Sequence, residues 1–160
     1  MELSKRLNFI INNIDKISVL ADIGTDHGYI PLYATQNGLC DKSIAIDINK
    51  DPLDKARLNA ILEGAGDELE FRLGDGLNPL KKDEVEAVII AGMGGNLIRD
   101  ILEESIEKVS SLNYLILVPA QNPEVLREYL YNNDYEIICE NLCEEDGIYY
   151  ESVSYTHLTL

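Results

Sequence analysis

Two rhythms of apolar and polar residues run along this chain and alternate with each other. Leu3, Leu7, Ile10, Ile11 and Ile14 recur at helical spacing and predict a first helix over 3–14. Val19 to Ile23 is a short apolar run broken only by Asp22, which predicts a buried strand. A helix opens near Tyr29, with Pro31 in its first turn, and stops near Gly38. Ser43 to Ile48 reads as a second strand, closing on Asp47. Asp51-Pro52 then signals a helix start, with the acid as cap and Leu53, Ala56, Ala60 and Ile61 as the apolar face. Leu69–Leu73 and Glu86–Ala91 are the third and fourth strands. Leu97, Ile98, Ile101, Leu102, Ile106 and Val109 form a stripe that predicts one continuous helix. Tyr114–Val118 is a fifth strand, and Asn122-Pro123 opens another helix with the asparagine as cap. Tyr135–Leu142 and Ile148–Ser154 follow as strands without a helix between them, joined through a hairpin signal at Asp146-Gly147.

Strands alternating with helices predict an α/β fold: a mostly parallel sheet with helices on both faces. The helix-free pair at the end adds a terminal antiparallel hairpin, for seven strands in all. Ligands of such sheets bind outside the carboxyl ends of the strands. Those ends are marked here by Asp22 with Gly24–Gly28, by Asp47, by Gly74-Asp75-Gly76, and by Gly92–Gly95.

Composition narrows the picture. A length of 160 residues fits one domain with a sizeable core. No apolar run reaches the ~18 residues of a membrane span, and MELSKRLNF is not a signal peptide. Cys40, Cys139 and Cys143 lack the histidine or cysteine partners of a metal site, so they are read as reduced thiols of a cytosolic protein and no metal is expected. A net charge of -16 argues against an extended nucleic-acid surface, because phosphate binding rests on Lys and Arg. It leaves room for a small basic patch, with Lys5, Arg6, Lys81 and Lys82 as candidates.

The turn after the first strand carries the chemistry. Its spacing, Asp22-x-Gly24-x-Asp26-x-Gly28, departs from the dinucleotide fingerprint G-x-G-x-x-G. Acids at these places repel a pyrophosphate and attract a cation such as a sulfonium with an ammonium. A parallel sheet with a terminal hairpin and an acid closing strand two resembles the Rossmann-like fold of the class I S-adenosylmethionine-dependent methyltransferases. The resemblance implies that Asp47 accepts both ribose hydroxyls and Asp75 the adenine amino group. Ile48 or Leu77 then lies against the ring, and Gly24 and Gly28 let the methionine part come close. Asp22 orients the loop or meets the ammonium, and His27, Gly74, Gly76 and Gly92 complete the cofactor set. Asp47 and Asp75 also have plainer readings, as a helix cap and a turn former.

Further segments sharpen the likeness. LSKRL at 3–7, ADIGTDHGYIP at 21–31, GDGL at 74–77, IAGMGGNLI at 90–98 and EEDG at 144–147 resemble the bacterial tRNA (adenine-N1)-methyltransferase family acting at adenine-22. That family implies cytoplasmic methyl transfer from S-adenosylmethionine to N1 of a tRNA adenine. Asp26 is the position implied as catalytic, with Tyr29 and Met93 beside the substrate. His27 is a proton relay or packs under the loop. After strand five the family has a glutamine before proline; here Val118 precedes Pro119, and Asn122 is the later candidate for a base contact. The family also continues into a helical domain that helps to grip tRNA. Tyr155 to Leu160 match no such continuation. The expectation is therefore a monomeric methyltransferase domain over 1–154 with a truncated or non-native tail at 155–160. A methyltransferase of another substrate, or a cofactor-binding fragment without activity, are the alternatives.

Overall fold

The computed structural model describes residues 3–158. Its elements in chain order are α1 (Lys5–Ile11), β1 (Ile17–Ile23), α2 (Tyr29–Gln36), β2 (Cys40–Asp47), α3 (Lys50–Leu62), β3 (Leu69–Leu73) and β4 (Ala87–Ala91). They continue with α4 (Gly95–Glu104), α5 (Ile106–Val109), β5 (Tyr114–Val118), α6 (Pro123–Asn132), β6 (Tyr135–Glu145) and β7 (Ile148–His157). One seven-stranded sheet has the order β3-β2-β1-β4-β5-β7-β6. The first five strands pair in parallel, and β7 joins β5 antiparallel while pairing with β6 in the closing hairpin. This is the expected Rossmann-like α/β architecture.

Strand residues alternate between two cores, as the period of two requires. Ile23, Ile46, Ile90 and Leu117 face α4 and α6, meeting Ile98, Leu102, Leu126 and Leu130. Leu20, Ile89 and Ile116 face the other way, toward Ile10 and Ile11 of α1 and Ile30 and Ala34 of α2. The strand order reverses between β1 and β4, so the carboxyl ends of these two strands open the crevice in which ligands of this topology bind.

Several local expectations need correction. α1 is shorter than its apolar stripe, because Ile14 stays buried in the turn that follows the helix. α3 begins at Lys50 with Asn49 before it, so Asp51 sits in the first turn and is not the cap. The stripe from Leu97 to Val109 is broken at Ser105 into α4 and α5. Periodicity hides the break, since Ile101, Leu102 and Val109 all reach the same core. Asn122 has a left-handed backbone, φ 52°, and makes no side-chain cap. β7 runs past Ser154: Tyr155 is buried and pairs with Leu115. Residues 155–157 of the expected tail are thus paired strand, and residues 159 and 160 lie outside the described part. Among the described residues, no helix is long and apolar enough to cross a membrane.

Candidate functional site

The turn after β1 is held by backbone before any side chain acts. The Gly24 and Thr25 amides both donate to Ile46 O of β2, at 2.9 and 3.1 Å, and Gly28 N donates to Thr25 O at 3.0 Å. Every second residue is left-handed: φ is 72° at Gly24, 54° at Asp26 and 73° at Gly28. Glycine adopts this freely, whereas an aspartate there is held at a cost of about 1 kcal/mol or more. Asp26 is fixed by its own amide, which donates to Asp47 Oδ2 at 3.4 Å. Asp47 closes β2, is 7% exposed, and takes the Asn49 amide on Oδ1 at 2.9 Å. The β1 turn and the β2 terminus are therefore one unit.

Two cavities lie along these strand ends. The larger, about 600 Å³, is lined by Asp22, Asp26, His27 and Tyr29 of the turn and start of α2. The smaller, about 280 Å³, is lined by Asp47 and Ile48, by Gly74, Asp75 and Gly76, and by Met93. Gly24, Ala91 and Gly92 border both cavities, so the two meet where β1 and β4 end. Met93 stands over the seam: a Cβ on Gly24 would come within 2.6 Å of Met93 Cε.

Most of the expected site residues converge here. Ile48 is 61% exposed and presents an apolar face at the rim of the smaller cavity. Leu77, its alternative, is sealed in the core. Gly28 borders neither cavity; a Cβ there would lie 2.8 Å from Ala56 Cβ, so its bareness lets α2 close on α3. Asn122 also lies outside both. Its backbone seats the β4–α4 turn: Gly95 N donates to the neighbouring Gln121 O at 2.7 Å, and the Asn122 carbonyl occupies the space a Gly95 Cβ would need.

Sequence reasoning missed one wall of the larger cavity. It is built by Ser4, Arg6 and Leu7 from the first helix and by Glu145 and Tyr150 from the closing hairpin. Segments 3–7 and 144–147 were visible as pieces of a family likeness. Their meeting at one cavity depends on α1 packing on the hairpin, which Asn141 Nδ2 donating to Asn13 Oδ1 at 2.6 Å helps to hold.

The cleft is acidic. Asp22 is 2% exposed, and burial pushes its carboxyl up to about 7, the nearby Asp47 and Asp26 charges adding to that and Thr25 working against it. His27 Nε2 lies 3.8 Å from Asp26 Oδ1, and its ring lies beside Tyr29 with centroids 5.5 Å apart. The arrangement suits a ligand that carries positive charge between the two cavities, with a donor compartment on one side and an acceptor compartment on the other.

Comparison with known proteins agrees with this reading of the fold. The sequence profile of the Methyltransferase domain family matches residues 3–153. The chain is 41% identical over 151 residues to the tRNA (adenine(22)-N(1))-methyltransferase of Bacillus subtilis, covering 94% of this chain and 63% of that protein. The crystal structure of the B. subtilis M1A22 tRNA methyltransferase TrmK matches with a TM-score of 0.91 and 40% identity, over 98% of this chain and 67% of that one. This chain belongs to the methyltransferase domain family, in its TrmK group. TrmK of M. capricolum, solved in complex with S-adenosyl-homocysteine, matches with a TM-score of 0.88 and 31% identity, over 98% of this chain and 69% of that one. The chain spans 63% of the length of the curated B. subtilis relative.

Proposed function

We propose that this chain transfers the methyl group of S-adenosylmethionine to N1 of an adenine in tRNA, in the position-22 class. The observation that carries the reading is the pair of cavities meeting at Gly24 and Gly92, with Asp47 and Asp75 lining one and Asp26, His27 and Tyr29 the other. The residues fit the methyl donor. A carboxylate has about four lone-pair directions, and backbone amides take two of those on Asp47. Two remain for the vicinal hydroxyls of a ribose. Asp75 accepts the adenine amino group, Ile48 covers the ring, and the buried Asp22 carboxyl faces the ammonium end. When bound, the donor supplies a methyl on a sulfonium, which departs as a neutral thioether and needs no acid.

The chain's own work is orientation and charge. Asp26 accepts from the 6-amino group of the target adenine and stabilises the positive charge that develops as N1 is methylated. Tyr29 and His27, side by side, line the base, and the Met93 side chain walls the two compartments at their seam. Holding the two reactants in line supplies much of the remaining acceleration. Tight binding of the tRNA draws on the part of the relatives that lies outside this chain, in keeping with the net charge of -16. The working form is a cytoplasmic monomer.

The test is primer extension on tRNA treated with the chain and S-adenosylmethionine, because N1-methylation blocks the Watson–Crick edge. The expected result is arrest at a single adenine with the unmodified chain and none with Asp26→Asn, which still binds the donor. Full arrest with Asp26→Asn rejects its catalytic role, and no arrest with either chain while the donor binds rejects the tRNA assignment for this chain.

A further inference from the structure

Arg6 is set apart by its surroundings. The chain holds five arginines. Arg57, Arg72, Arg99 and Arg127 each lie within 4 Å of a carboxylate, at 3.5, 2.6, 3.1 and 2.7 Å respectively. Among the described residues Arg6 has no such partner, although acids outnumber bases by 29 to 13. Arg6 is also the one lysine or arginine lining either cavity. Its guanidinium lies over the ring of Tyr150, 5.0 Å from the centroid. An aromatic ring under one face of a guanidinium fixes the plane of the group and leaves its N–H edge free, an arrangement suited to a phosphate.

From this we infer that Arg6, held on Tyr150, binds a phosphate flanking the target nucleotide at the wall of the acceptor cavity. The inference rests on the proposed nucleotide acceptor and assigns how its backbone is held. A base carrying an amino group suits the acidic lining of this cavity, where Asp26 and Glu145 stand. A phosphate is repelled from those carboxylates and needs a cation at the edge of the same cavity. Arg6 on the α1 wall meets that need, and its neighbour Lys5 is drawn toward Glu144 at 3.9 Å instead. Arg6 is thus a binding residue that sets the orientation of the acceptor, with Tyr150 as its positioning residue.

The experiment compares adenosine with adenosine 5′- and 3′-monophosphate by calorimetry on the free chain, repeated with S-adenosylhomocysteine bound. The expected result is that one monophosphate binds about tenfold tighter than adenosine, a typical gain for a charge-assisted contact. Arg6→Gln removes that preference while leaving the affinities for adenosine and S-adenosylhomocysteine unchanged. Arg6→Lys restores part of it, and Tyr150→Leu loses part of it. No preference for either monophosphate in the unmodified chain, or an equal preference in Arg6→Gln, overturns the inference. Failure to bind S-adenosylhomocysteine instead overturns the proposed function and leaves the nucleotide comparison to be read separately.

Discussion

Asp22 lies at the floor of the cleft with its carboxyl raised to about 7, chiefly by burial. Between the ordinary carboxylate range and pH 7 the unfolded chain gives up a proton that the folded chain keeps. Asp22 therefore favours the folded state at low pH, and this contribution is lost as pH rises from about 4 to about 7. A cationic ligand reverses the preference by favouring the ionised form. Binding of S-adenosylmethionine should tighten as pH rises through 7, with a proton released on binding, and Asp22→Asn should flatten the profile. Calorimetry in buffers of different ionisation heat checks both; a wild-type profile already flat from pH 6 to 8 contradicts the assignment. The same variant should raise Tm at pH 8 by about 3 °C or more and leave it unchanged near pH 4. At this scale the acids were legible in the sequence, because they close strands or punctuate a glycine turn. Arg6 was legible only as one of four candidate basic-patch residues; its pairing with Tyr150 was not, because the two sit at opposite ends of the chain and only the fold brings them together. The left-handed Asn122 was also missed, since Asn before Pro reads as a cap and nothing local reveals the sign of φ.

Elements carry the next layer. Gly24 and Gly28 share a left-handed backbone, but their empty side chains serve different neighbours: Met93 over the seam and Ala56 on α3. Gly28→Ala should destabilise the fold by about 1–3 kcal/mol in urea unfolding through strain and overpacking. Gly24→Ala should in addition weaken donor binding, because Met93 must shift at the seam. Equal effects of the two on donor affinity would contradict the difference in their roles. β3 is tied to the following loop by Arg72, whose two terminal nitrogens donate to Glu84 Oε1 and Oε2 at 2.8 and 2.6 Å. The Arg72 contact holds the Glu84 carboxyl down at about 2. This contribution is present above pH 4.5 and fades as pH falls toward 2. Glu84→Gln should cost about 1–2 kcal/mol at pH 7 and almost nothing near pH 2, measured by denaturant titration. The strands and helices themselves were readable from their periods. The break at Ser105 was not, because α4 and α5 bury the same face and the stripe runs on through it. The start of α3 lies two residues before the expected one, since Asp51-Pro52 is as good a first turn as it is a cap.

At the scale of the molecule, two cores on opposite faces of one sheet hold the strand ends in register, and the site is assembled where β1 and β4 diverge. Alternation of elements made the sheet legible. The order of its strands was not, because no local pattern encodes which strand lies beside β1. Nor did the sequence reveal that α1 and the β6–β7 hairpin enclose the larger cavity, which requires contacts between the two ends of the chain. The account as a whole depends on the strand ends forming one cleft for a positively charged methyl donor, with Asp47 as its ribose anchor. Calorimetric titration of S-adenosylmethionine into the unmodified chain and into Asp47→Asn tests it most directly. The asparagine keeps an acceptor for the Asn49 amide while giving up the charge and one acceptor. The account predicts one-to-one binding by the unmodified chain and a loss of about tenfold or more, roughly 1.4 kcal/mol, in the variant. No binding by the unmodified chain, or equal affinity in a folded Asp47→Asn, would contradict it.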